Sequence, residues 1–207
     1  PSFIGWRFVG ALLFGGFLSF LVGNVLYFNG LSQGGLGITV AGAQGGVVFA
    51  GLLLSLTFLH ERPRREQWTG AVIIGAGLVF IAIAQLGTPS ETWYLGLLFA
   101  ILAGSCYAGT NVLTRMVQRK RPVLFVVLAG TSIGGLVPLT IVILFQAAQN
   151  GGAAFETLEW STVGVVLLAG VFNALALVGL TQAMRDTTVA TTNTLSSSQL
   201  VFSFIAS

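Results

Sequence analysis

Charge is what this chain has least of. Nine Lys/Arg and six Asp/Glu amount to 7% of its 207 residues, whereas a soluble domain carries roughly 25%. That scarcity excludes an ordinary soluble protein. The net charge of +3 and pI near 9.6 come from few charges on an apolar chain, and no basic stripe tracks a phosphate backbone, so nucleic acid is set aside. The single cysteine, Cys106, allows no disulfide within the chain and leaves the redox compartment unread. Walker A, CxxC and HExxH patterns are absent, so no ATP-driven step, zinc site or other cofactor is expected. The apolar stretch after Pro1 is longer than the apolar core of a signal peptide and has no A-x-A-like cleavage site.

What is there is apolar sequence, 55% of the residues. Charge-free runs extend over Phe8–His60, Gln67–Ser90, Thr92–Thr114, Pro122–Phe155, Trp160–Met184 and Thr187–Ser207. A helix crossing a bilayer needs about 20 mostly apolar residues. Cutting the runs at their Gly, Pro and charge punctuation predicts seven spans, near 8–29, 36–59, 68–86, 92–114, 123–147, 161–183 and 187 to the end. All four tryptophans, Trp6, Trp68, Trp93 and Trp160, fall at span edges, the level an amphipathic indole prefers. Basic residues occupy alternate connections: Arg7; Arg62, Arg64 and Arg65; Arg115, Arg119, Lys120 and Arg121; Arg185. The other connections hold Glu91, Glu156 and Glu159, so the positive-inside rule places the basic loops in the cytoplasm.

The sequence also repeats itself. Gly30-Leu31-Ser32-Gln33 and Thr39-Val40-Ala41 recur as Gly179-Leu180-Thr181-Gln182 and Thr188-Val189-Ala190, both at an offset of 149. The same offset pairs Gly15 with Gly164, Leu18 with Leu167, Val22 with Val171, Asn24 with Asn173 and Leu26 with Leu175, giving 11 identities over the 27 positions from Gly15 to Ala41. It carries the first span onto the sixth, so one repeat is five spans long. An odd number of crossings inverts the second copy. Inverted repeats are the architecture of many secondary transporters, with a substrate site between the two halves. The fold expected is therefore an all-α polytopic membrane protein, an inverted-repeat helical bundle with seven of ten spans present. The chain, ending inside the apolar Phe202–Ser207, reads as a fragment.

Leu56-Thr57-Phe58-Leu59-His60-Glu61-Arg62-Pro63, followed by Trp68-Thr69-Gly70 and Gly75-Ala76-Gly77, resembles the EamA-type members of the drug/metabolite transporter superfamily, in which an apolar helix ends in Glu-Arg and the next carries an early Gly and a later small-Gly pair. The resemblance implies two five-helix repeats, here divided as 1–87 and 88–207, with Glu61, Arg62, Pro63 and Gly70 as the motif at a cytoplasmic helix end. Gly45-Gly46 and Ser196–Gln199 stand where the family often has a proline. The activity implied is secondary transport of a small metabolite or drug-like solute by alternating access in a bacterial inner membrane, without enzymatic chemistry. A passive pore for small neutral solutes is the alternative. The expected partners are the solute and the lipid bilayer, with a homodimer left open.

Two G-x-S-x-G matches, Gly30–Gly34 and Gly130–Gly134, read as accidents, because the nucleophile elbow requires a strand-turn-helix context and a His partner, while the only histidine, His60, lies at an inner helix end. Small residues recur every four positions at Gly96, Ala100, Gly104 and Ala108 and at Gly42, Gly46 and Ala50, the spacing of close helix packing. Glu61 with Arg62 reads as an interfacial structural pair. The polar residues inside spans, Asn24, Gln44, Tyr107, Asn111, Asn173, Asn193 and Gln199, read either as interhelical glue or as the lining of a translocation path. The repeat favours the path, since its offset pairs Asn24 with Asn173 and Gln44 with Asn193.

Overall fold

The computed structural model describes residues 5–85, 92–120, 123–149 and 160–196. Among these the chain is helical: α1 (Trp6–Gly16), a π-helical segment (Phe17–Gly23), α2 (Asn24–Leu54), a second π-helical segment (Ser55–Leu59), α3 (Arg65–Gln85), α4 (Trp93–Gln118), α5 (Leu124–Gln149), α6 (Trp160–Asp186) and α7 (Val189–Ser196). Trp6, Trp93 and Trp160 each open a helix, and Trp68 lies in the first turn of α3. Three segments among the described residues are long and apolar enough to cross a membrane: Trp6–Leu59, Trp93–Gln118 and Leu124–Gln149.

The first of these is too long for one crossing. At 1.5 Å per residue its 54 residues would extend about 81 Å, against a hydrocarbon core of about 30 Å. Gly35 breaks it, with φ 71° and ψ 176°, a backbone region open in practice only to glycine. The first arm therefore runs on past the expected boundary near residue 29, and the turn is confined to one residue where the predicted spans leave a connection of six. Thr39 closes the first turn of the second arm by donating to the Gly35 carbonyl at 2.7 Å.

Both arms then run along α4. On the first arm Gly30 and Gly34 meet Gly96, Gly23 meets Tyr107 and Gly15 meets Thr110; on the second Gly42 meets Ala100, Gly46 meets Gly104 and Gly51 approaches Ala108. Neighbours on α4 advance in number as the chain departs from Gly35 in either direction, so the arms form a hairpin with α4 along it. A Cβ on Gly46 would collide with the Ile101 carbonyl oxygen, and one on Gly104 with that of Ala43. Close backbone approach is thus the reason for glycine at both positions. Gly16 and Gly134 play the same part between α1 and α5, where added Cβ atoms would strike Thr131 O and Leu13 O.

Small apolar clusters fill the remaining contacts. Leu12, Val117 and Val127 join α1, α4 and α5; Leu59, Val112 and Val189 join the second π-helical segment, α4 and α7; Val48, Leu52, Ala71 and Ala190 join α2, α3 and α7. The large side chains are instead outside, with Ile73 65%, Phe80 72%, Phe125 75% and Phe172 62% exposed. Water would not tolerate such a surface on a monomer, and lipid does.

The contacts also sort the two ends of the bundle. The start of α1, the 60–64 connection, the end of α4 and the end of α6 gather together, bringing Arg7, Arg62, Arg64, Arg65, Arg115, Arg119, Lys120 and Arg185 to what we call the basic end. Gly35 and the start of α4 mark the opposite end. Glu91, Glu156, Glu159 and Arg121 lie outside the described residues.

Candidate functional site

At mid-depth the helices leave a cavity of about 380 Å³ lined by Ser19, Phe20, Asn24, Gln44, Val47, Tyr107, Thr110, Asn111, Thr131, Asn173, Leu177 and Leu180. The π-helical segment Phe17–Gly23 contributes Ser19 and Phe20 to its wall. Such segments bulge a helix outward by widening its turn and often occur at functional sites. Every polar group in the lining is neutral. At 380 Å³ the space lies toward the small end of ligand pockets, which run to about 1,000 Å³.

Hydrogen bonds hold the polar groups in place. Tyr107 Oη donates to Asn24 Oδ1 at 2.8 Å. Thr110, buried, donates to Gly15 O at 2.8 Å and so ties α4 to α1. Asn111 Nδ2 donates to Asn193 Oδ1 at 2.8 Å, and Asn193 Nδ2 donates in turn to Val47 O at 3.1 Å. Five of the seven span polar residues, Asn24, Gln44, Tyr107, Asn111 and Asn173, line the cavity. Asn193 does not. It is 1% exposed and hydrogen-bonded between α2 and α4. Gln199 lies outside the described residues. Gly42, Gly46, Gly96, Gly104 and Ala108 all lie in the α2–α4 contact, behind the cavity wall.

A second, narrower space of about 20 Å³ continues from the first toward the basic end. It shares Thr110, Asn111, Thr131, Leu177 and Leu180 with the larger cavity and adds Thr114, Leu128, Thr181 and Met184. A volume near 20 Å³ holds about one water and no solute. Met184, 1% exposed, stands at its far limit.

Beyond Met184 is a cluster of charge. Glu61 does not pair with Arg62: its Oε1 accepts from Arg115 Nε at 3.2 Å and from Arg119 Nη2 at 3.1 Å. The Glu61 and Arg115 side chains are 12% and 16% exposed, and Arg62 is exposed. Arg115 Nη1 also donates to the Met184 carbonyl and, at 3.1 Å, to that of Arg185, while Arg119 Nη2 donates to Leu59 O at 2.9 Å. A guanidinium on the last carbonyls of α6 satisfies acceptors that the helix leaves open and complements its negative end. His60, with φ 54°, adopts the left-handed conformation that ends the preceding helix and turns Glu61 inward. Pro63 follows in the connection, and Gly70 lies one turn into α3.

Sequence reading treated Arg115 and Arg119 only as topology markers. A signal was present: Tyr107, Asn111 and Arg115 on α4 and Arg119 at its C-cap stand four apart, a polar stripe on an apolar helix. Among the described residues no group of three or more His, Cys, Asp or Glu side chains comes together.

Among the described residues, long helices with an apolar exterior and a half-open polar cavity between them define an integral membrane protein. The chain belongs to the EamA-like transporter family, whose model matches residues 1–83 and 94–207. No curated protein and no solved structure gave a match. The family is of the drug/metabolite transporter kind named by the resemblance of Leu56–Gly77, and it makes the protein a membrane transporter.

Proposed function

We propose that the protein is a secondary transporter that moves a small neutral or zwitterionic solute through the central cavity by alternating access. One observation carries the reading: the cavity takes its polar lining from both family-matched stretches, Ser19, Asn24 and Gln44 from the first and Tyr107, Asn111 and Asn173 from the second. A site shared by two halves changes its access when the halves rock about it. The lining offers amide and hydroxyl groups and no fixed charge, so a solute exchanging its hydration for these groups needs donors and acceptors of its own but no net charge.

We propose further that the chain makes seven crossings in an inverted-repeat arrangement. Gly35 and the α6–α7 turn near Thr187, three residues beyond Met184, the repeat partner of Gly35, stand at opposite ends of α4, beside Gly96 and Arg115 respectively. Gathering of the basic residues at one end supports a cytoplasmic placement of that end and an inner-membrane location.

The test is flux in vesicles reconstituted with the full chain and preloaded with a panel of neutral amino acids, nucleosides and nucleobases. A carrier gives saturable uptake of a labelled panel member and accelerates it when the same solute is unlabelled inside. Flux that rises linearly with concentration and shows no counterflow would instead identify a passive pore and overturn the proposal.

A further inference from the structure

We infer that the Glu61–Arg115–Arg119 cluster is the latch of the cytoplasmic gate, and that Met184 is the plug it holds shut. The inference rests on the transport reading above and specifies how its site is closed on one side.

The geometry is continuous from cavity to latch. The larger space narrows from about 380 Å³ to about 20 Å³ along Thr110, Asn111, Thr131, Leu177 and Leu180. Thr114, Thr181 and Met184 then close it. Thr110, Thr114, Thr131 and Thr181 share the wall of this constriction with Leu128, Leu177, Leu180 and Met184, and its narrowness blocks the route. Met184 is buried, and its carbonyl is held by Arg115. Arg115 is in turn held by Glu61, which also holds Arg119. Four elements converge here: the connection after the second π-helical segment, the end of α4, the end of α6 and, through Val189 against Leu59 and Val112, the start of α7. Gln67 adds a neutral tie at the same end, donating from Nε2 to Thr191 Oγ1 at 2.8 Å and to Thr188 Oγ1 at 3.1 Å.

Opening the constriction requires the end of α6 to withdraw from α4, and every such movement breaks the bonds of Arg115 to Met184 and Arg185. Both bonds are charge-assisted, the one to Met184 partly buried and the one to Arg185 exposed, and they are few enough to break and reform. Along the rest of α6 the described residues are mostly exposed, with Gly164, Gly170 and Gly179 meeting nothing within 4 Å. Charged bonds thus fasten the helix at its basic end. Loss of the Glu61 charge frees Arg115 and Arg119 from their shared anchor and shifts the population toward the state open to the cytoplasm.

The experiment uses Ser19→Cys, which places a thiol in the cavity wall, in a Cys106→Ser background, and a membrane-impermeant methanethiosulfonate applied separately to right-side-out and inside-out vesicles. Glu61→Gln keeps the side-chain shape and removes the charge. It should raise the labelling rate from the cytoplasmic face, and lower that from the outer face, at least about fivefold in their ratio, the lower bound of ordinary coupling between states. Arg119→Gln, which leaves Arg115 in place, should move the ratio in the same direction by less. Glu66→Gln, at the same end of α3 but outside the cluster, should leave it unchanged. Rates are taken per folded molecule, so loss of yield does not enter. A ratio unchanged by Glu61→Gln, or equal acceleration from both faces, would overturn the latch while leaving the transport reading intact. Absence of labelling from either face in the Ser19→Cys protein with Glu61 present would overturn the transport reading itself, and the latch with it.

Discussion

Replacing Gly104 by alanine tests whether backbone contact between α2 and α4 holds the cavity wall. An added Cβ would collide with Ala43 O, lie 2.8 Å from Val47 N and 2.9 Å from Ala43 C. All three are backbone atoms, so no flexible side chain can rotate away, and α2 must shift as a unit. Overpacking commonly costs about 1–3 kcal/mol, and a contact with no side chain to yield belongs at the upper end. For a chain of this length about 1 kcal/mol corresponds to roughly 2–4 °C in Tm, so Gly104→Ala should melt roughly 6–12 °C lower in detergent. Gly77→Ala is the matched control, because a Cβ there meets nothing within 4 Å and alanine is the better helix former. Its Tm should stay level or rise slightly. Equal Tm for Gly104→Ala and the parent, or equal losses for both variants, would refute the close-approach argument.

Gly35→Ala should also destabilise, by about 1–3 kcal/mol, for a different reason: the site is roomy, but φ 71° with ψ 176° is strained for any side chain. A Tm equal to the parent's would contradict that backbone reading. His60→Gly should raise stability by about 1–2 kcal/mol, since glycine adopts the left-handed conformation of His60 without steric cost; a lowered Tm would mean that the imidazole makes a contact worth more than the strain. Single cysteines at Gln149 and at Arg119, in a Cys106→Ser background, should react from outside and inside respectively, and labelling from one shared face would end the inverted-repeat proposal.

The architecture was legible to the extent that it depends on local composition. Apolar runs, tryptophans at their edges and four-residue spacing of small residues point directly to helices packed by backbone approach, and Gly96, Ala100 and Gly104 lie at that contact. The turn at Gly35 was less legible, because Gly30, Gly34 and Gly37 are chemically equivalent and only the packing of Gly30 and Gly34 against Gly96 leaves Gly35 to take the positive φ. Glu61 was misassigned to its neighbour Arg62. Its actual partners are 54 and 58 residues away, chosen by the crossing of helices rather than by sequence spacing. Asn193 illustrates the same limit: repeat symmetry pairs it with Gln44, but Asn111 and the Val47 carbonyl capture it before it reaches the cavity. Repeated sequence conveys common ancestry of two segments, whereas the surroundings of each copy decide which polar group faces open space.

Asn24 and Asn173 test the central proposal most directly, because they are related by the repeat and both line the cavity. Their environments differ: Asn24 accepts from Tyr107, while Asn173 is exposed along the lining. Leucine is similar in volume but removes the hydrogen bonds offered to solute or path water. The measurement is the initial rate of counterflow, per folded and membrane-inserted molecule, of the panel solute that the parent protein carries. Asn24→Leu, Asn173→Leu and the double variant should each be slower than the parent while most of the protein remains folded. Parental rates per molecule in all three would contradict a translocation path through this cavity.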